Sequence, residues 1–302
     1  TMSYRIDHFF RLPPATVIEW SGRDRLQLLH NLSTQKVAQL AEGSTAELFL
    51  CDVKGRSLCH GWILHQAEVT LLVTTHGLQQ VLLDHLDRYI FREDVQLADR
   101  SDHFHWIAAS GLSPVPDRSS FCKDPVLPNG SRLHAPWRWG GDGSWIIAMT
   151  STHAEDDLQL APPSTLLSPE QFDAIRIRNN WPWFGVDIDP GMFPQETTRE
   201  AESVHYQKGC YLGQETIARL DALGQVQKKM CRLSVSGPPP APRTALRNQE
   251  GVDVGSTRSS APDPSGGNSI AFAVVKRPYW EAGTELECGQ ARAIVTDFSP
   301  DA

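Results

Sequence analysis

Residues 45–75 constrain the fold more than any other stretch. Three strand-like runs, 45–52, 57–65 and 68–75, follow one another with only Lys54-Gly55 and Gln66-Ala67 as turn signals between them. Links that short cannot carry the crossover that parallel neighbours need, so the runs read as an antiparallel meander. Past Gly77 the period changes from two to 3.6. Leu78, Val81, Leu82, Leu86, Tyr89 and Ile90 then line up as the apolar stripe of a helix. Upstream, 15–20 reads as a strand closed by Ser21-Gly22, and Ser21 with Asp24 resembles a capping box ahead of Leu26, Leu29 and Leu32. Short β runs are expected at 95–98 and 105–109, and another strand at 144–150. Residues 111–143, rich in Pro, Gly, Asp and Ser, read as a long irregular connection.

The second half opens with a clear helix start, Ser168-Pro169-Glu170-Gln171, running through Phe172 and Ile175 to about Asn180. Residues 181–202 hold two tryptophans and prolines at 182, 190 and 194 but little periodicity, the character of a long functional loop. A short helix is expected over 216–220. From Val226 onwards only β-type runs remain, at 230–235, 270–275 and 291–298. The interruptions at 237–242 and 256–268 read as hairpin loops of a small all-β barrel. The division is therefore 1–225, mixed in α and β, followed by an all-β module over 226–302, and the class is α+β.

Composition narrows function. A formal net charge of −8 over 302 residues argues against binding nucleic acid through overall charge. Between 207 and 232, however, Lys208, Arg219, Lys228, Lys229 and Arg232 face only Glu215 and Asp221, a local balance of +3 that suits an anionic ligand or a solvated basic face. No apolar run approaches the ~20 residues needed to span a bilayer. The first five residues carry neither a signal core nor a transit pattern. Six cysteines, at 51, 59, 122, 210, 231 and 288, lack C-x-x-C pairing and fit reduced thiols in cytoplasm. His103 and His105 fall on one face of an apparent strand and read as surface residues. No nucleotide-binding glycine motif and no nucleophile elbow is present.

Tyr206-Gln207-Lys208-Gly209-Cys210-Tyr211-Leu212-Gly213-Gln214-Glu215 carries the chemistry. Lys208 by its charge, and the helix start after the cysteine by its partial positive charge, both favour thiolate at Cys210. Gly209 and Gly213 permit tight turns or close approach. The alternative is a half-buried packing cysteine.

The stretch Lys208–Glu215 resembles the K-G-C-Y-x-G-Q-E signature of YgfZ-type folate-binding proteins, relatives of the T-protein (aminomethyltransferase) of the glycine cleavage system. The similarity extends to Arg176-Ile177, to Pro182-Trp183-Phe184-Gly185-Val186-Asp187-Ile188, and to Pro194-Gln195-Glu196. Near the start it includes Ser21-Gly22-Arg23-Asp24, Leu28-Leu29 and Asp52-Val53-Lys54-Gly55-Arg56. The resemblance implies a T-protein-like three-part α+β architecture. Its folate-binding region would hold two intertwined subdomains, the 45–110 meander and helix forming part of one, ahead of a small C-terminal β-barrel. It further implies a role in assembly or repair of iron–sulfur clusters, with some members affecting tRNA modification through iron–sulfur enzymes. Tetrahydrofolate or a derivative would be the cofactor, with a transient cluster at Cys210. Iron–sulfur enzymes or assembly proteins would be the partners, without direct contact to nucleic acid or membrane.

Two departures from the T-protein pattern bear on chemistry. Its catalytic aspartate has no counterpart in Lys54-Gly55-Arg56-Ser57-Leu58-Cys59, which removes the acid–base group for aminomethyl transfer. Its pterin-binding glutamate is replaced in Arg176-Ile177-Arg178, and a guanidinium cannot accept hydrogen bonds from an amidine-like edge. The readings are a cluster assembly factor working through Cys210 with Lys208, a folate-dependent transferase, or a folate-linked scaffold without chemistry. Folate contacts are expected from Trp183, Phe184, Glu196, Arg176 and Lys228. The alternatives are core packing for the aromatics, a surface position for Arg176 and loop-bracing for Glu196. Tyr211 belongs to the motif, and Gln214 and Glu215 read as helix-capping residues or ligand contacts.

Overall fold

The computed structural model describes residues 7–111, 132–136, 144–150, 165–224 and 226–298. The expectations for residues 1–5, for Cys122 and for most of 111–143 lie outside them. In chain order the strands and helices are β1 (His8–Arg11), β2 (Ala15–Ser21), α1 (Arg25–Leu32), β3 (Thr45–Cys51), β4 (Ser57–His65), β5 (Val69–Thr75), α2 (Gln79–Asp87), β6 (Gln96–Asp99), β7 (Phe104–Ser110), β8 (Arg132–Pro136), β9 (Ser144–Thr150), β10 (Thr165–Leu166), α3 (Pro169–Arg178), α4 (Glu200–Ser203), α5 (Gln214–Leu223), β11 (Lys228–Ser236), β12 (Ala245–Arg247), β13 (Asp253–Pro262), β14 (Asn268–Lys276), β15 (Glu285–Cys288) and β16 (Ala291–Thr296).

They fall into two compact units. One holds the described residues up to Leu166 together with Ala201–Glu215; the other holds Leu167–Glu200 and the chain from Thr216 onwards. The first unit has two five-stranded sheets, ordered β3-β4-β5-β2-β6 and β10-β1-β7-β9-β8. The meander forms as expected: β3 pairs antiparallel with β4, and β4 with β5. The ladder shifts register between Leu50 and Cys51, where the strand approaches the Asp52–Arg56 turn. Asp52 Oδ1 closes that turn by accepting the backbone N–H groups of Lys54 (2.8 Å) and Arg56 (2.9 Å).

Four local expectations need correction. Ser21 does not cap a helix: it remains in the β2 ladder opposite Val69 and Gln96, and α1 begins after Asp24, which makes no side-chain cap bond. In α2 only Leu82 and Leu86 of the stripe are buried, and Val81 is 53% exposed. His103 ends a single 3-10 turn ahead of β7, so it does not share a strand face with His105. Within the stretch read as one irregular connection, Arg132–Pro136 is a strand laid along β9. Its proline sits at the strand end, where a missing donor is tolerated.

In the second unit the Ser168 capping box forms in full, with Ser168 Oγ accepting from Gln171 N (3.2 Å) and Gln171 Oε1 from Ser168 N (2.8 Å). The β-tail closes into a six-stranded barrel, β11-β14-β13-β12-β15-β16. Its interior is filled at period two by Leu233, Val235, Ala271, Ala273, Val275, Ala293 and Val295. β14 is buried on both faces because α3 packs against β13 and β14. The Ser-rich stretch expected as a loop is in its first part strand β13. Small residues are what a crowded barrel wall requires: a Cβ at Gly255 would lie 2.4 Å from the Val274 carbonyl oxygen.

Candidate functional site

The chain re-enters the first unit at Ala201, and each step of the return is tied down. Thr34 Oγ1 donates to Ser203 O (2.6 Å), Gln35 Nε2 to Glu202 O (2.8 Å), and His205 N to Thr34 O (3.0 Å). Lys208 follows, only 8% exposed. Its Nζ donates to the carbonyl oxygens of His30 (2.5 Å), Ser33 (2.5 Å) and Gln35 (2.8 Å), around the C-terminal end of α1. A helix end leaves carbonyls unpaired and carries partial negative charge, so a cation there satisfies both. The Tyr211 ring lies 4.9 Å from the same ammonium and is itself buried. Burial pushes the Lys208 amine down to about 7. The three acceptors pull the other way, because a neutral amine has only two N–H groups to offer.

His30 completes this cluster. Its Nδ1 accepts from Val37 N (3.2 Å) and Ala38 N (3.4 Å), which places the ring proton on Nε2, facing Lys208 O at 3.3 Å. Burial and the nearby Lys208 charge lower its pKa. Beyond Lys208 the motif is held again. Leu212 N donates to Asn31 O (3.0 Å). Gly213, at φ +81°, lies so close to the β3–β4 turn that a Cβ would meet Asp52 O at 2.6 Å. Gln214 Oε1 accepts from Tyr211 N (3.3 Å), a local bond rather than a ligand contact, and Glu215 sits exposed in the first turn of α5.

Between these anchors Gly209, at φ +96°, and Cys210 are exposed. Among the described residues Cys210 is the one exposed thiol; Cys51, Cys59, Cys231 and Cys288 are buried. Burial pushes the Cys59 and Cys231 thiols up to about 12, and raises those of Cys51 and Cys288. Among the described cysteines Cys210 is therefore the thiol that a metal or a partner can reach. No group of three or more His, Cys, Asp or Glu side chains among the described residues could hold a metal ion. A cluster at Cys210 would need ligands from elsewhere, which makes it cargo rather than a resident group.

The second unit holds the five residues expected to contact folate, and most are already committed. Arg176, 1% exposed, is not a surface residue. Its Nε donates to Asp173 (2.5 Å), its Nη1 to Asp187 (2.7 Å) and Trp181 O (3.2 Å), and its Nη2 to Ser259 Oγ (2.6 Å). Its guanidinium also lies 4.7 Å from the Trp183 ring centroid. Phe184 is buried in the core, and Glu196 Oε2 accepts from Phe193 N (3.0 Å), bracing its own loop. Arg178 pairs with Asp263 (2.5 Å) on the β13–β14 turn. Trp183 and Lys228 remain half-buried, with surface to offer. The basic segment shrinks likewise: Lys208 and Arg232 are buried, and Arg232 donates to the Arg178 carbonyl (3.1 Å). The sequence does not single out His30, Asn31, Gln35 and Ser259, whose roles depend on partners more than 80 positions away.

No family model matches the chain. A tRNA-modifying protein YgfZ from Pectobacterium atrosepticum is 24% identical over 212 residues, covering 66% of this chain and 61% of that protein. The chain thus aligns with about three fifths of that relative's length. The mitochondrial iron-sulfur cluster assembly factor IBA57 of Mus musculus is 24% identical over 324 residues, covering 97% of this chain and 86% of that protein. The crystal structure of the glycine cleavage system aminomethyltransferase T from Bartonella henselae matches with a TM-score of 0.81 at 17% identity, over 98% of this chain and 87% of that one. That last likeness is one of fold.

Proposed function

We propose, from the premise that this chain is a YgfZ-type protein of the T-protein-like family, that its Cys210 thiol serves iron–sulfur cluster assembly or repair in partnership with a bound reduced folate. The observation that carries the reading is the motif's geometry. Lys208, Tyr211 and Gly213 face inward and fasten the segment, while Cys210 is left outward. An exposed thiolate can ligate iron or exchange with another thiol, and one such ligand suits passing contact with a cluster held mainly by a partner. Iron–sulfur enzymes or their assembly proteins are the partners this chemistry calls for, in the reducing environment of cytoplasm.

Folate would engage the half-buried Trp183 face by stacking and Lys228 by charge. No carboxylate at position 178 would read the pterin edge, because the residue there is Arg178, which pairs with Asp263. Aminomethyl transfer is disfavoured: after Gly55 the hairpin offers Ser57, Leu58 and Cys59, and Asp52 is occupied in closing the turn. Anaerobic reconstitution with iron, sulfide and a small thiol that completes the ligand set, with and without tetrahydrofolate, tests the reading by absorption spectroscopy. Cluster absorbance that depends on Cys210 and changes with folate is expected. Identical spectra from wild type and Cys210→Ser would sink it.

A further inference from the structure

We propose that Lys208 is a positioning residue: its ammonium latches the Cys210-bearing turn to the C-terminal end of α1 and fixes where the thiol is presented, rather than activating the thiol by its charge. The inference rests on the functional reading of Cys210 given above.

Geometry carries it. All three ammonium protons are placed on carbonyl oxygens of α1 and the residues after it, at 2.5, 2.5 and 2.8 Å. An ammonium has no further donor, so none is left to stabilise a sulfur anion directly. The fastening is reciprocal, because His30 Nε2 faces the Lys208 carbonyl. It is also continuous with the next contacts along the chain: Tyr211 against the ammonium, Leu212 N on Asn31 O, and Gly213 pressed on the β3–β4 turn. The side chains that act electrostatically on His30 beside Lys208 are Lys36, from the loop after α1, and His205, from the returning segment. The groups that meet the ammonium nitrogen itself are three carbonyl oxygens at a helix end, and they hold the cation. A thiol on a segment fixed from both sides can be offered to a partner in one orientation, which is what group transfer needs from its support.

The test uses the full-length protein and its Lys208→Met variant, with Lys208→Gln, which keeps two N–H donors, in reserve should the first not fold. Three quantities are read: hydrogen exchange over 205–213, the iodoacetamide rate at Cys210 in the folded protein, and rescue of iron–sulfur enzyme activity in cells lacking the protein. Loss of charged hydrogen bonds should cost the segment more than about tenfold in exchange protection. Alkylation should stay within about twofold while rescue falls, since access persists and only placement is lost. Alkylation that slows in step with lost rescue would show activation by charge and overturn the proposal. So would unchanged exchange protection. The thiol reading fails separately: if Cys210→Ser rescues fully while Lys208→Met still loosens the segment, the latch stands and the cargo is something other than the sulfur.

Discussion

Asp187→Asn changes one heavy atom and should be among the most damaging substitutions in the second unit. Asp187 is 0% exposed, and its carboxylate accepts three hydrogen bonds: Oδ2 from Arg176 Nη1 (2.7 Å) and Trp183 N (2.9 Å), and Oδ1 from Ser259 N (3.0 Å). These partners lie on α3, on the loop that follows it and on β13, so one side chain joins three elements. Asparagine has a single accepting oxygen. Whichever way it turns, an N–H group faces a donor, and Arg176 is left as a buried cation with Asp173 as its carboxylate partner. Breaking a buried pair in this way costs about 3–5 kcal/mol. At about 4 °C per kcal/mol for a unit of about 120 residues, the melting temperature should fall by roughly 12–20 °C. Urea denaturation followed by tryptophan fluorescence measures the free-energy loss, because Trp181 and Trp183 sit on the network. Arg176→Met combined with Asp187→Leu should be far less damaging than the two single changes summed. A loss below about 1 kcal/mol for Asp187→Asn would refute the reasoning, since that is the range of an ordinary exposed pair.

Three further outcomes are expected. His30, His65 and His85 all have pKa values lowered chiefly by burial, so the folded chain takes up protons less readily than the unfolded chain. Their contribution to stability is whole above about pH 6.5 and is lost as pH falls through the folded values; denaturant midpoints between pH 5 and 8 should decline on the acid side, and a flat profile would contradict this. Gly213→Ala should weaken the motif's seat by at least about 1–3 kcal/mol, from its positive φ and the overlap with Asp52 O, read as faster hydrogen exchange over 208–214 with the barrel unaffected. Tetrahydrofolate at 100 times its dissociation constant should add about 2.7 kcal/mol to stability, and Trp183→Ala should abolish the shift in melting temperature; no shift in the unaltered protein would remove folate from the account.

What was legible in the sequence was whatever is local. The meander from 45 to 75, the Ser168 start of α3 and the β character of the tail depend on neighbours within a few residues, and each formed. Failures came where distant partners overrode local chemistry. Ser21 has the composition of a cap, but β5 and β6 claim it for the sheet. The serines of β13 look like loop residues until a closing barrel requires small side chains against β14. The types and order of Lys208–Glu215 single the motif out, yet from the sequence Lys208 reads as an electrostatic partner of Cys210. Its actual partners are main-chain oxygens more than 170 positions upstream, which no side-chain pattern advertises. Arg176 likewise gave no sign of full burial until Asp187 and Ser259 closed around it.

The central claim is that Cys210 works as an outward thiol on a fixed mount. Cells lacking this protein and supplied with Cys210→Ser test it most directly, with activity of iron–sulfur enzymes measured under oxidative stress and circular dichroism confirming that the variant folds. The account predicts a folded protein that fails to restore those activities. Full restoration by folded Cys210→Ser would contradict it.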